Sequence, residues 1–113
     1  MISLSESIKN GIYEHGVVNY ADKIIFAYEV NGFGDYRLID DANLPSLLSL
    51  PYMGFISQED PIYKSTREYI LSTRNPYYFG SGSINGVGSS HTSRGYIWPL
   101  ALMTQILTSK NDE

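Results

Sequence analysis

The chain contains no cysteine, which excludes disulfide staples and thiolate metal sites. Basic residues are also scarce. Eight Lys and Arg against twelve Asp and Glu leave a formal charge of -4. The eight are scattered singly and form no stripe that could follow a phosphate backbone, so no nucleic-acid partner is expected. No apolar run reaches the length of a membrane span, and residues 1–15 lack the apolar centre of a signal peptide. No membrane partner is expected, and a cytoplasmic location follows as the working expectation. Trp occurs once, yet ten Tyr, four Phe and ten Gly make the chain rich in aromatics and turns. Aromatic faces beside glycine loops suit stacking on flat ligands, including the apolar faces of sugars. Half-buried packing with the hydroxyl at the surface explains the tyrosines equally well.

At 113 residues the chain is long enough for one small domain. Residues 3–15 place Leu4, Ile8 and Ile12 on one face of an amphipathic helix. Residues 24–30 read as a strand. Asn31-Gly-Phe-Gly-Asp35 reads as a hairpin turn, with a return strand over 36–39. A short helix is expected over about 44–50, stopped by Pro51. Asp60 as N-cap with Pro61 at the first helical position opens another, running to about Ser72 with Ile62, Thr66, Tyr69 and Ile70 inward. Residues 77–79 are extended, 80–90 form a Gly/Ser loop, and 97–108 read as a last apolar helix. No internal repeat or linker divides the chain.

The most informative stretch is Asp40-Asp-Ala-Asn-Leu-Pro45. Adjacent carboxylates repel, which should raise the pKa of at least one unless water, a cation or a hydroxyl donor relieves it. Such a pair fits a binding site. It also fits a helix start, with Asn43 as N-cap and two acids near the positive end of the dipole. Glycines 80–88 match neither the dinucleotide fingerprint nor a P-loop, so phosphate binding is not expected there. Ser90-His-Thr92 lacks a nucleophile elbow. His15, His91 and the carboxylates show no metal-ligand spacing. His91 reads as a hydrogen-bonding residue or as a donor to a ligand hydroxyl, and Trp98 as core or as the floor of a sugar subsite.

Several of these segments together resemble glycoside hydrolase family 125, the metal-independent α-mannosidases. The segments are Phe26-Ala-Tyr-Glu-Val-Asn-Gly-Phe-Gly34, Ile39-Asp-Asp-Ala-Asn-Leu-Pro-Ser-Leu-Leu-Ser-Leu-Pro-Tyr52, Asn75-Pro-Tyr-Tyr-Phe79, Gly86-Val-Gly-Ser-Ser-His-Thr92 and Ile97-Trp-Pro-Leu-Ala-Leu102. They occur in the family's order and span most of residues 20–110. Two positions depart from the pattern: Asn31 stands where the family has Asp, and Ser90 where a Pro precedes the His.

The resemblance implies a mainly α fold, a partial (α/α)6 barrel with a small β-hairpin, in which residues 1–113 form one segment incomplete at both ends. It implies inverting exo-hydrolysis of α-1,6-linked mannose without a metal or other cofactor. An α-mannoside glycan and the remainder of the barrel are the implied partners. Inversion needs an acid and a base on opposite faces of the sugar, about 6.5–9.5 Å apart. In the family the acid lies upstream of this segment, and the base is the Glu of a His-Glu-Ser motif downstream. No catalytic residue is therefore assigned. Asp40, Asp41, Asn43, His91 and Trp98 match family motifs and are the expected substrate-binding residues. A non-catalytic sugar-binding module and an inactive structural remnant are the alternatives.

Overall fold

The computed structural model describes residues 1–80 and 83–110. Its elements run α1 (Leu4–His15), β1 (Val17–Tyr20), β2 (Lys23–Phe26), β3 (Glu29–Val30), β4 (Tyr36–Arg37), α2 (Pro61–Ile70), β5 (Tyr78–Gly80), β6 (Asn85–Val87) and α3 (Pro99–Leu107). The strands form three separate antiparallel pairs, β1–β2, β3–β4 and β5–β6. One hairpin was expected, and three are found. The mainly α expectation narrows accordingly: three helices share the described residues with three small sheets and a long run of turns.

Helix α1 starts where local chemistry dictates. Ser3 Oγ accepts from the Glu6 amide and the Glu6 carboxylate accepts from the Ser3 amide, a complete capping box. None of its residues is buried, and the apolar row Leu4, Ile8 and Ile12 faces solvent. The 24–30 segment is not one strand. Its first half pairs with β1, in the register Val17↔Phe26 to Tyr20↔Lys23, and its second half starts the β3–β4 hairpin. The β1–β2 turn is Ala21-Asp22, both at positive φ. It carries none of the glycine that marks such a turn in a sequence.

Strand β2 buries Ile25 and Phe26 and packs on α2. There the Phe26 amide donates to Thr66 Oγ1 at 2.9 Å, while that hydroxyl donates to the Ile62 carbonyl. Helix α2 begins at Pro61 with Asp60 as N-cap, as expected, and buries Tyr63, Thr66, Tyr69 and Ile70. A small core follows: Ala42, Ile70, Val87 and Ala101 are buried together, ringed by Leu47, Leu71, Tyr77, Tyr78 and Trp98.

The helix expected over 44–50 does not form. Successive turns replace it, closed by Ser49 N–H to the Ser46 carbonyl, Leu50 to Leu47 and Phe55 to Leu50. Pro45 and Pro51 each lack an N–H, and the Ser49 hydroxyl takes the Ser46 amide at 2.9 Å, so local bonds replace a helical ladder. The Gly/Ser stretch also holds more structure than expected, because residues 85–87 pair with β5. A Cβ at Gly86 would press on Ile97 and Leu102, and one at Gly88 would meet the Tyr96 carbonyl and the Phe79 ring. These glycines let the strand lie flat against α3 and the segment before it. Residues 81 and 82 of the 80–90 stretch lie outside the described residues.

Candidate functional site

Two loops meet at the candidate site. The first, residues 40–43, leaves β4 and is pinned from behind. Asn75, 1% exposed, accepts from the Asp40 amide and donates to the Asp40 and Ile70 carbonyls. The second, residues 88–92, leaves β6. The Ala42 amide donates to the Gly88 carbonyl at 2.9 Å, tying one to the other.

Both aspartates are buried, Asp41 at 6% exposure, and they take different hydrogen-bond partners. Asp40 is 1% exposed. Its oxygens accept from the Leu47 and Leu48 amides, each at 3.0 Å. Burial pushes its carboxyl up to about 7. The two amides pull the other way, and the neighbouring Asp41 adds to the rise. Asp40 thus does the work that Asn43 was expected to do: it satisfies the amides at the start of the 46–55 turns.

Asp41 accepts instead from the Asn43 amide at 3.0 Å and from Asn43 Nδ2 at 2.9 Å. That same Nδ2 donates to Ser89 Oγ at 3.0 Å. Ser89 Oγ also accepts from the His91 amide at 3.2 Å, which leaves the His91 imidazole exposed. The Thr92 hydroxyl donates to the Ser89 carbonyl and accepts from Trp98 Nε1 at 3.2 Å. Asp41, Asn43, His91 and Trp98 are therefore joined through Ser89 and Thr92, and Asp40 is bonded separately to the Leu47 and Leu48 amides. The sequence offered no sign of Ser89, which reads there as one more loop serine. Tyr28 is a further addition: burial raises its pKa first, then the charges of Asp41 and Asp40, so its phenol lies within their field.

This arrangement can hold hydroxyls, but it is poorly suited to acid–base chemistry across a bond. Consecutive Cα atoms are about 3.8 Å apart, and the two carboxylates leave a single loop. An inverting pair must flank the substrate with room for water between. Each of the four carboxylate oxygens of Asp40 and Asp41 already accepts an N–H. Among the described residues no three His, Asp or Glu side chains come together as a metal site.

Comparison with known proteins agrees with the motif pattern. The sequence profile of the metal-independent α-mannosidases of glycoside hydrolase family 125 matches residues 1–113. The meiotically up-regulated gene 157 protein of Schizosaccharomyces pombe is 45% identical over 111 residues, 96% of this chain and 22% of that protein. A solved structure of a metal-independent α-mannosidase from Streptococcus pneumoniae is 42% identical and matches with a TM-score of 0.91 over 96% of this chain and 26% of that one. That protein is described as a non-productive substrate complex with α-1,6-mannobiose. The chain spans about a quarter of the length of both relatives. It belongs to glycoside hydrolase family 125, the metal-independent α-mannosidases.

Proposed function

We propose that this chain supplies sugar-facing loops of an inverting exo-α-1,6-mannosidase built on an (α/α)6 barrel, and that it supplies neither the catalytic acid nor the base. Asp41, Asn43, His91 and Trp98 bind hydroxyls and the apolar face of an α-mannoside. Asp40 and Asn75 hold the first loop at its height above α2. The observation that carries this reading is the unbroken hydrogen-bonded path from Asp41 through Asn43 and Ser89 to His91 and, through Thr92, to Trp98. The S. pneumoniae relative's complex with α-1,6-mannobiose supports the choice of ligand.

The exposed rows on α1 (Leu4, Ile8, Ile12) and α3 (Leu100, Met103, Ile106, Leu107) support the barrel part of the reading. Helices apolar on faces that their own chain leaves bare suit burial against further helices. The non-catalytic binding module remains the second reading. It is favoured by one observation, that every oxygen of Asp40 and Asp41 is engaged by an N–H.

The test is equilibrium binding of α-1,6-mannobiose to the chain and to Asn43→Ala, followed by amide chemical shifts. Asn43→Ala removes the side-chain link between the loops and leaves the Ala42–Gly88 backbone bond, so ligand-induced shifts at residues 41, 89 and 91 should be lost. Unchanged shifts there in the variant would remove the basis for the proposal.

A further inference from the structure

The buried side-chain amide of Asn75 makes every bond it can. Its Oδ1 accepts from the Asp40 amide at 3.2 Å and from the Tyr77 amide at 3.3 Å. Its Nδ2 donates to the Asp40 carbonyl at 2.9 Å and to the Ile70 carbonyl at 3.1 Å. Two donors and two acceptor positions are the whole capacity of this group, and no other side chain of its size offers two of each. The amide is also uncharged, so it adds no third acid beside Asp40 and Asp41.

These bonds close a circuit through both loops of the candidate site. Asp40 lies two residues before Ala42, whose amide donates to the Gly88 carbonyl at 2.9 Å. The Gly88 amide donates to the Tyr77 carbonyl at 2.8 Å, and the Tyr77 amide returns to Asn75. Asn75 is the one side chain in this circuit. Its bond to Ile70 ties the circuit to the end of α2. The Tyr69 hydroxyl, 3.0 Å from the Leu38 carbonyl and 3.1 Å from the Arg74 carbonyl, joins the same two stretches just upstream. A buried polar network whose members are all paired is rigid.

We propose that Asn75 is a positioning residue for the sugar site. It holds residues 40–43 and 88–92 at the separation that lets Asn43, Ser89 and His91 meet one ligand, and it bonds to none of those three. The choice of ligand rests on the function proposed above, whereas the brace between the loops does not.

Asn75→Ala leaves four backbone groups without this partner and is expected to unfold the chain, so the test uses Asn75→Asp, of the same shape but without the two donors. Thr66→Val is the control. It takes the Oγ1 acceptor from the Phe26 amide, and Thr66 bonds to neither loop. Each variant is compared with wild type at one fixed pH and below the concentration at which the chain associates. Hydrogen exchange follows the Ala42, Gly88 and Phe26 amides, and α-1,6-mannobiose is titrated against the Ser89 and His91 amides. In Asn75→Asp, Ala42 and Gly88 should lose more protection than Phe26, although neither amide bonds to residue 75. Mannobiose binding by the folded protein should weaken by roughly two- to twelvefold, the worth of one hydrogen bond. Thr66→Val should lose protection at Phe26 alone and bind as wild type does. A uniform loss of protection in Asn75→Asp, an affinity equal to that of wild type, or the same affinity loss in Thr66→Val would reduce Asn75 to a stability role and overturn the proposal. If wild type binds no mannobiose, the function proposed above falls and exchange alone judges the brace. A preferential loss at Ala42 and Gly88 then sustains it, and a uniform loss or none overturns it.

Discussion

Replacing Asp40 should damage the fold far more than replacing Asp41, although the two are adjacent and chemically identical. Asp40→Ala strands the amides of Leu47 and Leu48 at the head of the 46–55 turns, whose acceptors are the two Asp40 carboxylate oxygens. A buried amide left without a partner costs about 1–3 kcal/mol. At pH 5, where the folded carboxyl is neutral, two of them set the loss at about 2–6 kcal/mol. Asp40→Asn keeps one acceptor and turns an amide group toward the other N–H, so its cost should fall below that of Ala. Among the described residues the Asp41 carboxylate serves Asn43, two residues away, in a local turn. Its loss should cost about 1 kcal/mol. The assay is urea unfolding of dilute protein at one fixed pH, followed by Trp98 fluorescence, with hydrogen exchange at the Leu47 and Leu48 amides as the local reading. Those amides should lose protection in Asp40→Ala and keep it in Asp41→Ala. Equal losses from both substitutions, or unchanged protection in Asp40→Ala, would refute the division of labour.

Stability should also fall as pH rises. Asp40 holds its proton to about 7 when folded and releases it near 3.8 when unfolded, so the folded state binds the extra proton between those values. This contribution is largest below 3.8, declines through the window up to 7 and is gone above it, a span on the order of 4 kcal/mol. The stability difference between wild type and Asp40→Asn, measured at pH 5 and pH 8, should shrink by a large part of that amount, and a constant difference would contradict it. The chain alone should self-associate through α1, because Leu4 and Ile8 are 77% and 56% exposed. Size-exclusion chromatography should show Ile8→Lys eluting later than wild type, and a monomeric wild type that binds no hydrophobic dye would count against the exposed face.

The parts of the fold that a sequence reads well are those set by local chemistry. The Leu4, Ile8 and Ile12 row marks one helix, Asp60 with Pro61 marks the start of another, and Asn31-Gly32 marks the hairpin; all three are found. Strand β1 was not anticipated because its turn uses Ala21 and Asp22 in a conformation that glycine or asparagine usually adopts. The 44–50 helix failed because non-local bonds outweighed propensity. Asp40 reaches seven and eight residues along the chain to take amides that a helix would have left to a cap. The site divides along the same line. Asp41, Asn43, His91 and Trp98 stand out by residue type and motif. Ser89, which joins them, becomes visible only once β6 brings residue 89 beside residue 43.

The central claim is that these loops bind an α-mannoside without being able to cleave it. One proton NMR sample of the purified chain with α-1,6-mannobiose tests both halves, since saturation transfer reports bound disaccharide and the anomeric region reports free mannose. The account predicts saturation transfer to the disaccharide, lost in Asn43→Ala, with no mannose appearing over time. Mannose released in proportion to the chain, or disaccharide signals that receive no saturation at all, would contradict it.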